Sequence, residues 1–545
     1  MIGTPHVDNC GRVCHGPSLK GLEMSIGEGA ATNSFNDIYK TEFIIIIGSN
    51  TTEAHPIVAN RIISQTKKET GLSVIDIRNI AIGKSAKYEL IIPYEANLLI
   101  LNMLAFVVLN ENLYNEEFIQ RRTKNFKEYK ESILNDPFAN PDYFANIKGY
   151  ETLPELIRAT AREYAKKRSM IIWGLGVTEN IDGSKAVSAI CNLALMAGNV
   201  GKEGTGLMPL RGQNNVQGVC DMGMMPYYAP GYQKPKEMGK TTPELIDEML
   251  AGNLKALWNM GEDIAHIHTN LNKIHKALDK LELLIVNDIF PNEITKFADI
   301  IFGVKSAYEK EGVFVNAERR LHFSQPLVNS NLPDDWEVVH EISKRLGSDM
   351  GYKTIEDVWN ETREKAANLF GGASYEKLKK DPSNCLQRPI HENDTPILHV
   401  DSFRTADGLG NFIYNQYRLR NQVKEIIEGN KSDFYLSTGR ILEQYNNARQ
   451  TVECEQLNKR YSETVLLVSK EDEELFDDTK KYILTSNYGK SKPLKIKITK
   501  SIKKGTLFTT FHHAKSHINF LFGDEADEYV KTACFKSVKV KVEQE

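Results

Sequence analysis

No two of the seven cysteines in this 545-residue chain form a C-x-x-C pair, and their odd number, scattered from Cys10 to Cys534, argues against a disulfide framework. Neither sign of charge prevails: 68 basic residues stand against 72 acidic ones. Electrostatics thus favours neither nucleic acid nor an anionic membrane as partner, and a small-molecule substrate is expected. The most apolar stretch, Leu98 to Leu109, falls well short of the ~20 residues that cross a bilayer and is expected to be a buried helix. The opening residues, MIGTPHVDN, hold neither a basic segment followed by an apolar one nor a twin-arginine pair. Cytoplasm is therefore the default compartment, with any export signal upstream of Met1 outside this reading. Internal repeats and low-complexity tracts are also missing.

What is present is an alternation of strand and helix signals, with 41% hydrophobic residues to build cores. FIIIIGSN (Phe43 to Asn50) is an all-apolar run ending in a polar loop, as a buried parallel strand requires, and EAHPIVANRIISQTKK behind it has helical spacing. LSVIDIRN and MIIWGLGVTEN repeat the strand signal, and Ser184 to Ala197 reads as an apolar helix. The pattern restarts with LKALWNMGED, LELLIVNDIF and ADIIFG, while WEVVHEISKRL reads as a helix in a mixed region beyond Phe323. From Tyr435 onward, YLSTGR, TVLLVS, YILTSN, LKIKITK, GTLFTTF and SVKVKVE read as short strands of a closed or nearly closed β-barrel. The expected fold class is α/β, with two doubly wound Rossmann-like αβα domains and a C-terminal β-barrel. The expected segments are 1–212, 213–322, a mixed helical connection over 323–430, and 431–545.

Chemistry concentrates in two strings. In HVDNCGRVCHGPS, Cys14 is a soft sulfur donor and the adjacent His15 titrates near neutral pH. A small buried thiol and a structural histidine are the commoner uses of these residues. Gly11, Gly16, Pro17, Gly21, Gly27 and Gly29 point to an irregular loop where backbone approaches a bulky ligand. In RGQNNVQG, Arg211 offers a guanidinium fork for a carboxylate, and Gln213, Asn214, Asn215 and Gln217 supply amides suited to a pterin or guanine. Gly48-Ser49-Asn50, Asp76-Ile77-Arg78, Gly174-Leu175-Gly176, Gly261-Glu262 and Asn287-Asp288 all fall where strands run out, the place where doubly wound sheets bind nucleotides. GLGVTE is not a complete dinucleotide fingerprint, which speaks against an ordinary nicotinamide enzyme.

VDNCGRVCHGPS, IGSNTTEAHPIVAN, LMPLRGQNNVQGVCDMG, EKEGVFVNAERR and FHHAKSHINFLFGDEADEYVKTACFKSVKV together resemble the molybdopterin oxidoreductase superfamily, in particular the catalytic alpha subunit of metal-dependent formate dehydrogenase. The resemblance extends over nearly the whole chain. It implies a molybdenum or tungsten bis-molybdopterin guanine dinucleotide cofactor around which the two α/β domains close, with Cys14 as the protein ligand of the metal. His15 is similar to the proton acceptor of that family and Arg211 to its formate clamp, and formate or carbon dioxide is the implied substrate. The resemblance places cofactor contacts at Asn50, Asp76, Arg78, Gly176, Gly212, Gln213, Gly261, Glu262, Asp288, Gly312, Asp335, Thr438, Arg440, Asn519 and Lys536. Hydride transfer to a metal-bound sulfur and separate proton and electron transfer both stay open.

Departures from the pattern carry expectations too. Relatives begin with a domain that holds a [4Fe-4S] cluster, whose ligands this chain does not contain, so an iron-sulfur or other electron-transfer polypeptide is the expected partner. Ile77 stands where the family has proline, Glu95 where glycine is common, and NNARQTVEC replaces a more basic stretch. Three readings remain: a working catalytic subunit served by a separate cluster polypeptide, a truncated or split-gene product without catalysis of its own, and, more distantly, a nucleotide-binding scaffold with no redox role.

Overall fold

The computed structural model describes residues 2–383, 385–419, 423–425 and 433–545. They form two compact units that the chain visits alternately, a larger one of residues 13–212 and 397–545 and a smaller one of residues 1–12 and 213–396. The four consecutive segments expected from sequence are grouped here into these two units. No division falls at 322, because Val315 and Leu321 share one core with Trp359, Leu369, Phe370 and Tyr375 from beyond it. The expected connecting region is instead cut at Pro396, and the expected boundary at 430 lies outside the described residues.

The chain begins with helix α1 (Cys10–Ile26), bent at His15, whose φ of −125° and ψ of 22° leave the helical region. This corrects the expectation of an irregular loop around Cys14. Pro17 lacks an N–H and Gly16 resists helix, but together they break the helix for one residue and allow it to resume.

In the larger unit, β1 (Phe43–Ile47), β2 (Gly71–Asp76), β3 (Tyr88–Ile91), β4 (Ser169–Trp173) and β5 (Gly206–Pro209) form a parallel sheet in the order β3-β2-β1-β4-β5. Both faces of β1 are covered, which explains its lack of polar residues. Phe43, Ile45 and Ile47 pack into one core with α3 (Asn97–Asn110), α4 (Leu153–Lys166) and α5 (Gly183–Ala197). Ile44 and Ile46 pack into another with Val58, Ala59 and Ile62 of α2 (Pro56–Thr66). Helix α3 is buried almost all round, as its apolar sequence requires. Strand order reverses between β1 and β4, so their carboxyl ends flank a topological switch point. Glu95, at the position where the resembled family favours glycine, has a φ of +61°, so the left-handed turn persists with a side chain in place.

In the smaller unit, β6 (Ala256–Met260), β7 (Leu283–Asp288) and β8 (Ile300–Gly303) make a parallel three-stranded sheet in that order. An antiparallel hairpin of β9 (Gly312–Val315) and β10 (Leu321–Ser324) turns through Arg319 at φ +71°. Helix α6 (Val216–Asp221) precedes the sheet, and α7 (Asp335–Arg345) follows the hairpin.

The chain then returns to the larger unit as a closed six-stranded barrel. Its strands are β11 (Phe434–Gly439), β12 (Val465–Ser469), β13 (Lys481–Thr485), β14 (Leu494–Thr499), β15 (Thr506–Thr510) and β16 (Val538–Gln544), in the closed order β11-β15-β12-β14-β13-β16. Leu436, Leu466, Val468, Leu484, Leu507 and Val540 fill it. Within that unit the barrel meets the parallel sheet at its carboxyl edge: the Tyr94 hydroxyl donates to Leu507 O at 3.0 Å, and Asn79 N donates to Ser501 O at 2.8 Å.

Candidate active site at the carboxyl edge of the parallel sheet

The loops leaving β1 and β4 touch. Gly176 N donates to Gly48 O at 2.9 Å, and a Cβ on Gly176 would stand 2.7 Å from Gly48 Cα, closer than any side chain can approach. Asn97 Nδ2 and Asn180 Nδ2 both donate to Gly176 O, at 2.9 and 2.6 Å, and lock the crossing. Helix α1 is tied here as well, since the Thr178 hydroxyl donates to Cys14 O at 2.7 Å. Cys14 is thereby held beside the switch point, 9% exposed.

Arg211 arrives from the next strand. Leu210 N donates to Trp173 O at 2.9 Å, extending the β4–β5 pairing, and Arg211 Nη2 donates to Gly29 O at 3.1 Å. One edge of one sheet thus brings Cys14, His15 and Arg211 together, within the larger unit.

His15 is fully buried, with Nε2 3.0 Å from Leu210 O and Nδ1 2.8 Å from Ser18 Oγ. A carbonyl only accepts, so Nε2 carries the proton, and Nδ1 accepts from the Ser18 hydroxyl. Ser18 Oγ in turn accepts from Trp173 Nε1 at 2.8 Å. Burial, with the Arg211 guanidinium beside it, pulls the imidazole down to about 3. In this arrangement His15 is a neutral, doubly bonded ring whose Nδ1 opens only when Ser18 turns away.

The other predicted residues of the larger unit fall around the same edge. Asn50 precedes the short turn Thr51–Ala54, its Oδ1 accepting from the Thr52 hydroxyl at 3.0 Å. Asp76 ends β2, and burial pushes its carboxyl up to about 6 despite Arg78 two residues on. Arg78 lies over the Phe508 ring of the barrel, 4.0 Å from its centre. Thr438 donates to Phe535 O at 2.9 Å. Lys536 pairs with Glu179 at 2.7 Å and donates to Thr438 O at 3.0 Å. Arg440 and the buried Asn519 complete the barrel's set, and Gly212 is exposed with open space about it.

Gln213, Gly261, Glu262, Asp288, Gly312 and Asp335 belong to the smaller unit. Gly261 turns at φ +63° after β6, and Glu262 Oε1 faces His268 Nε2 at 3.3 Å. Asp288 ends β7, accepting from Ile289 N and Asn292 Nδ2 at 2.7 Å each, and burial raises its carboxyl. Gly312 opens β9 with no atom near its missing Cβ. Asp335 is the first helical residue of α7 and pairs with Lys310 at 3.1 Å, whereas Asp334 before it forms the capping box with Glu337. Two amides read as ligand groups serve the fold instead. Asn215 Oδ1 accepts from Val315 N at 3.0 Å, and Gln217 donates to Asp221 Oδ1 at 2.7 Å. Asp221 is held by a fully buried Arg388 at 2.6 Å.

Sequence reasoning gave no role to Ser18, Trp173, Glu179, Glu53 and His55, although each lies within a string quoted above, because they act through partners distant along the chain. His55 was within reach: a His-Pro step just after a strand exit places an imidazole at a helix mouth.

The larger unit's residues fit a large polar ligand. Glu53 Oε2, His55 Nδ1, Ser437 Oγ and Arg440 Nε are buried with no hydrogen-bond partner among the described residues. Glu53 and His55 each feel the charge of Arg440, so three of these four share one environment. Buried atoms of this kind call for partners that the described residues do not supply, and a ligand rich in donors and acceptors would supply them. Cys14, in the same unit, adds the sulfur donor that a soft redox metal takes.

A family model described as Molybdopterin oxidoreductase matches residues 3–345, and a second, Molydopterin dinucleotide binding domain, matches residues 434–539. The chain belongs to the molybdopterin oxidoreductase family. It is an oxidoreductase of the molybdenum- or tungsten-pterin class. This oxidoreductase is 36% identical over 570 residues to the F420-dependent formate dehydrogenase subunit alpha of Methanocaldococcus jannaschii, covering all of this chain and 82% of that protein. It is 35% identical over 439 residues to formate dehydrogenase H of Escherichia coli, covering 76% of this chain and 60% of that one. Its fold matches acetylene hydratase from Pelobacter acetylenicus with a TM-score of 0.81 at 16% identity, over 99% of this chain and 82% of the other. No helix among its described residues is long and apolar enough to cross a membrane.

Proposed function

We propose that this oxidoreductase is the catalytic subunit of a cytoplasmic formate dehydrogenase that interconverts formate and carbon dioxide and passes electrons to a separate iron-sulfur or other electron-transfer polypeptide. The observation that carries the reading is the convergence of a thiol, an imidazole and a guanidinium, Cys14, His15 and Arg211, on one sheet edge. When bound, a molybdenum or tungsten bis-molybdopterin guanine dinucleotide supplies the two-electron redox centre. Cys14 would ligate the metal. Asn50, Asp76, Arg78, Gly176, Gly212, Thr438, Arg440, Asn519 and Lys536 from the larger unit, and Gln213, Gly261, Glu262, Asp288, Gly312 and Asp335 from the smaller, would hold the dinucleotides.

Arg211 binds the formate carboxylate through two parallel N–H donors, which fixes the direction of the C–H bond before any bond breaks. Formate gives up two electrons and one proton as carbon dioxide forms. His15 receives the proton at Nδ1 once the Ser18 hydroxyl rotates off it. An imidazole held near 3 by burial and by Arg211 releases that proton again readily, so it acts as a relay and not a store.

The test is formate-dependent reduction of an artificial electron acceptor by chain purified from a cofactor-competent host. Arg211→Lys, which keeps the charge and loses the planar fork, is expected to raise the KM for formate by about 10-fold or more with metal content unchanged. Unchanged formate kinetics in that variant would refute the clamp.

A further inference from the structure

Arg211 is held by its backbone as well as its side chain. Its Cα lies between two peptide units, one carrying the Leu210 carbonyl and one the Arg211 carbonyl. His15 Nε2 stands 3.0 Å from the first, and His55 Nε2 stands 3.0 Å from the second. Both carbonyls accept, so both histidines present Nε2–H. Fixing the two planes on either side of a Cα fixes its φ and ψ, and with them the direction in which the side chain leaves the backbone. The next residue is Gly212, exposed and with no atom within 4 Å of its missing Cβ, so the residue that follows the second plane brings no side chain to pack.

His55 is itself anchored. Pro56 occupies the first position of α2 and forces the preceding residue out of the helical region, to φ −141° and ψ 63°, and His55 N donates to Thr51 O at 2.9 Å. Burial, together with the charge of Arg440, lowers the basicity of this imidazole and favours the neutral ring, while the carbonyl acceptor places its proton on Nε2.

We propose that His55 is a positioning residue for the carboxylate clamp: its Nε2–H bond to the Arg211 carbonyl sets the direction of the guanidinium and hence the affinity for a small monocarboxylate. The substrate half of this statement rests on the formate reading; the backbone half does not.

The test uses His55→Leu, which removes the donor, His55→Asn, whose amide is too short to reach, and His55→Gln, whose Nε2 replaces the lost N–H. The nitrogen-15 shift of the Gly212 amide, whose nitrogen shares a peptide unit with the Arg211 carbonyl, reads the bond to that carbonyl without any turnover, and carbonyl-labelled arginine with nitrogen-labelled glycine isolates it because Arg211-Gly212 is the one Arg-Gly step of the sequence. The signal is expected to move from its wild-type position in His55→Leu and His55→Asn, as the carbonyl loses its donor, and to return toward it in His55→Gln. In the metal-loaded enzyme the KM for formate should rise about 10-fold in the first two variants, with kcat altered less and metal content retained, and recover in the third. An unmoved Gly212 signal in both disrupting variants overturns the proposal. So does a fall in kcat and metal content with KM unmoved, which is the signature of a merely structural residue. If the wild type does not turn over formate but the Gly212 signal moves and recovers as described, the formate reading falls and the positioning role stands. Should His55→Leu fail to fold, His55→Asn against His55→Gln decides the matter alone.

Discussion

At the scale of single residues, His15 shows how a fold redefines a side chain. The sequence identifies an imidazole beside a thiol, and the structure adds a chain of hydrogen bonds from Trp173 through Ser18 to its Nδ1. Neither partner was legible as such, because Trp173 lies 155 positions from Ser18 and meets it only after β4 and α1 are placed. The pH consequence has a definite sign. The folded group sits near 3 against an ordinary 6.5, so below about pH 6.5 the unfolded chain takes up a proton that the folded one cannot, and stability falls as pH falls from there toward 3. Between pH 7.5 and 5 this residue alone should cost about 2 kcal/mol. Urea unfolding of His15→Gln is expected to lose correspondingly less than wild type between those two pH values; an equal loss would show that His15 is not held neutral. The amide string makes the opposite point. Arg211 was readable from RGQNNVQG, but Asn215 and Gln217 in the same string bond to the chain itself, and residue type alone does not distinguish an amide facing a ligand from one facing Val315 N.

Elements were more legible than their contacts. The apolar runs from Phe43, Leu72 and Met170 became parallel strands because period-free hydrophobicity fits a sheet covered on both faces, and the alternating tail became a barrel because period two fits a sheet with one wet face. Strands β3 and β5 escaped notice, each only four residues long with no distinctive run. Helix α1 reads as loop in sequence because Gly11, Gly16, Pro17 and Gly21 interrupt it, whereas in the fold Gly21 lets the helix lie close against Val187 of α5. The loop crossing between β1 and β4 yields a sharp expectation at this scale. In Gly176→Ala the added methyl would collide with Gly48 backbone, at 2.7 Å, and neither loop can retreat without breaking the Asn97 and Asn180 bonds. A loss of about 1–3 kcal/mol is expected by chemical denaturation, accompanied by reduced metal retention. Full stability in that variant would mean that the crossing is looser than described.

For the whole molecule, the two units should respond separately to damage. Asp221 and Arg388 are both fully buried and bonded to each other inside the smaller unit, with Tyr232 and Gln217 sharing the carboxylate. Removing one member of such a pair strands the other charge, so Asp221→Ala should destabilise that unit by roughly 3–5 kcal/mol. Proteolysis followed by mass spectrometry is expected to show cleavage concentrated within 213–396, with the barrel and parallel sheet resistant; uniform digestion would show that the units unfold as one. Sequence could not foresee this partition, since it depends on residues 13–212 finding residues 397–545 across an interval that folds on a core of its own.

That interval has a consequence in time. A ribosome that has finished β5 and Arg211 must still make the whole of 213–396 and then the barrel before the body around Cys14 has its full set of strands. At roughly 5–20 residues per second the wait is on the order of tens of seconds. During it the parallel sheet stands with its carboxyl edge uncapped by the barrel residues Leu507 and Ser501. The edge that carries Cys14, His15 and Arg211 is therefore complete only after the barrel strands have been made.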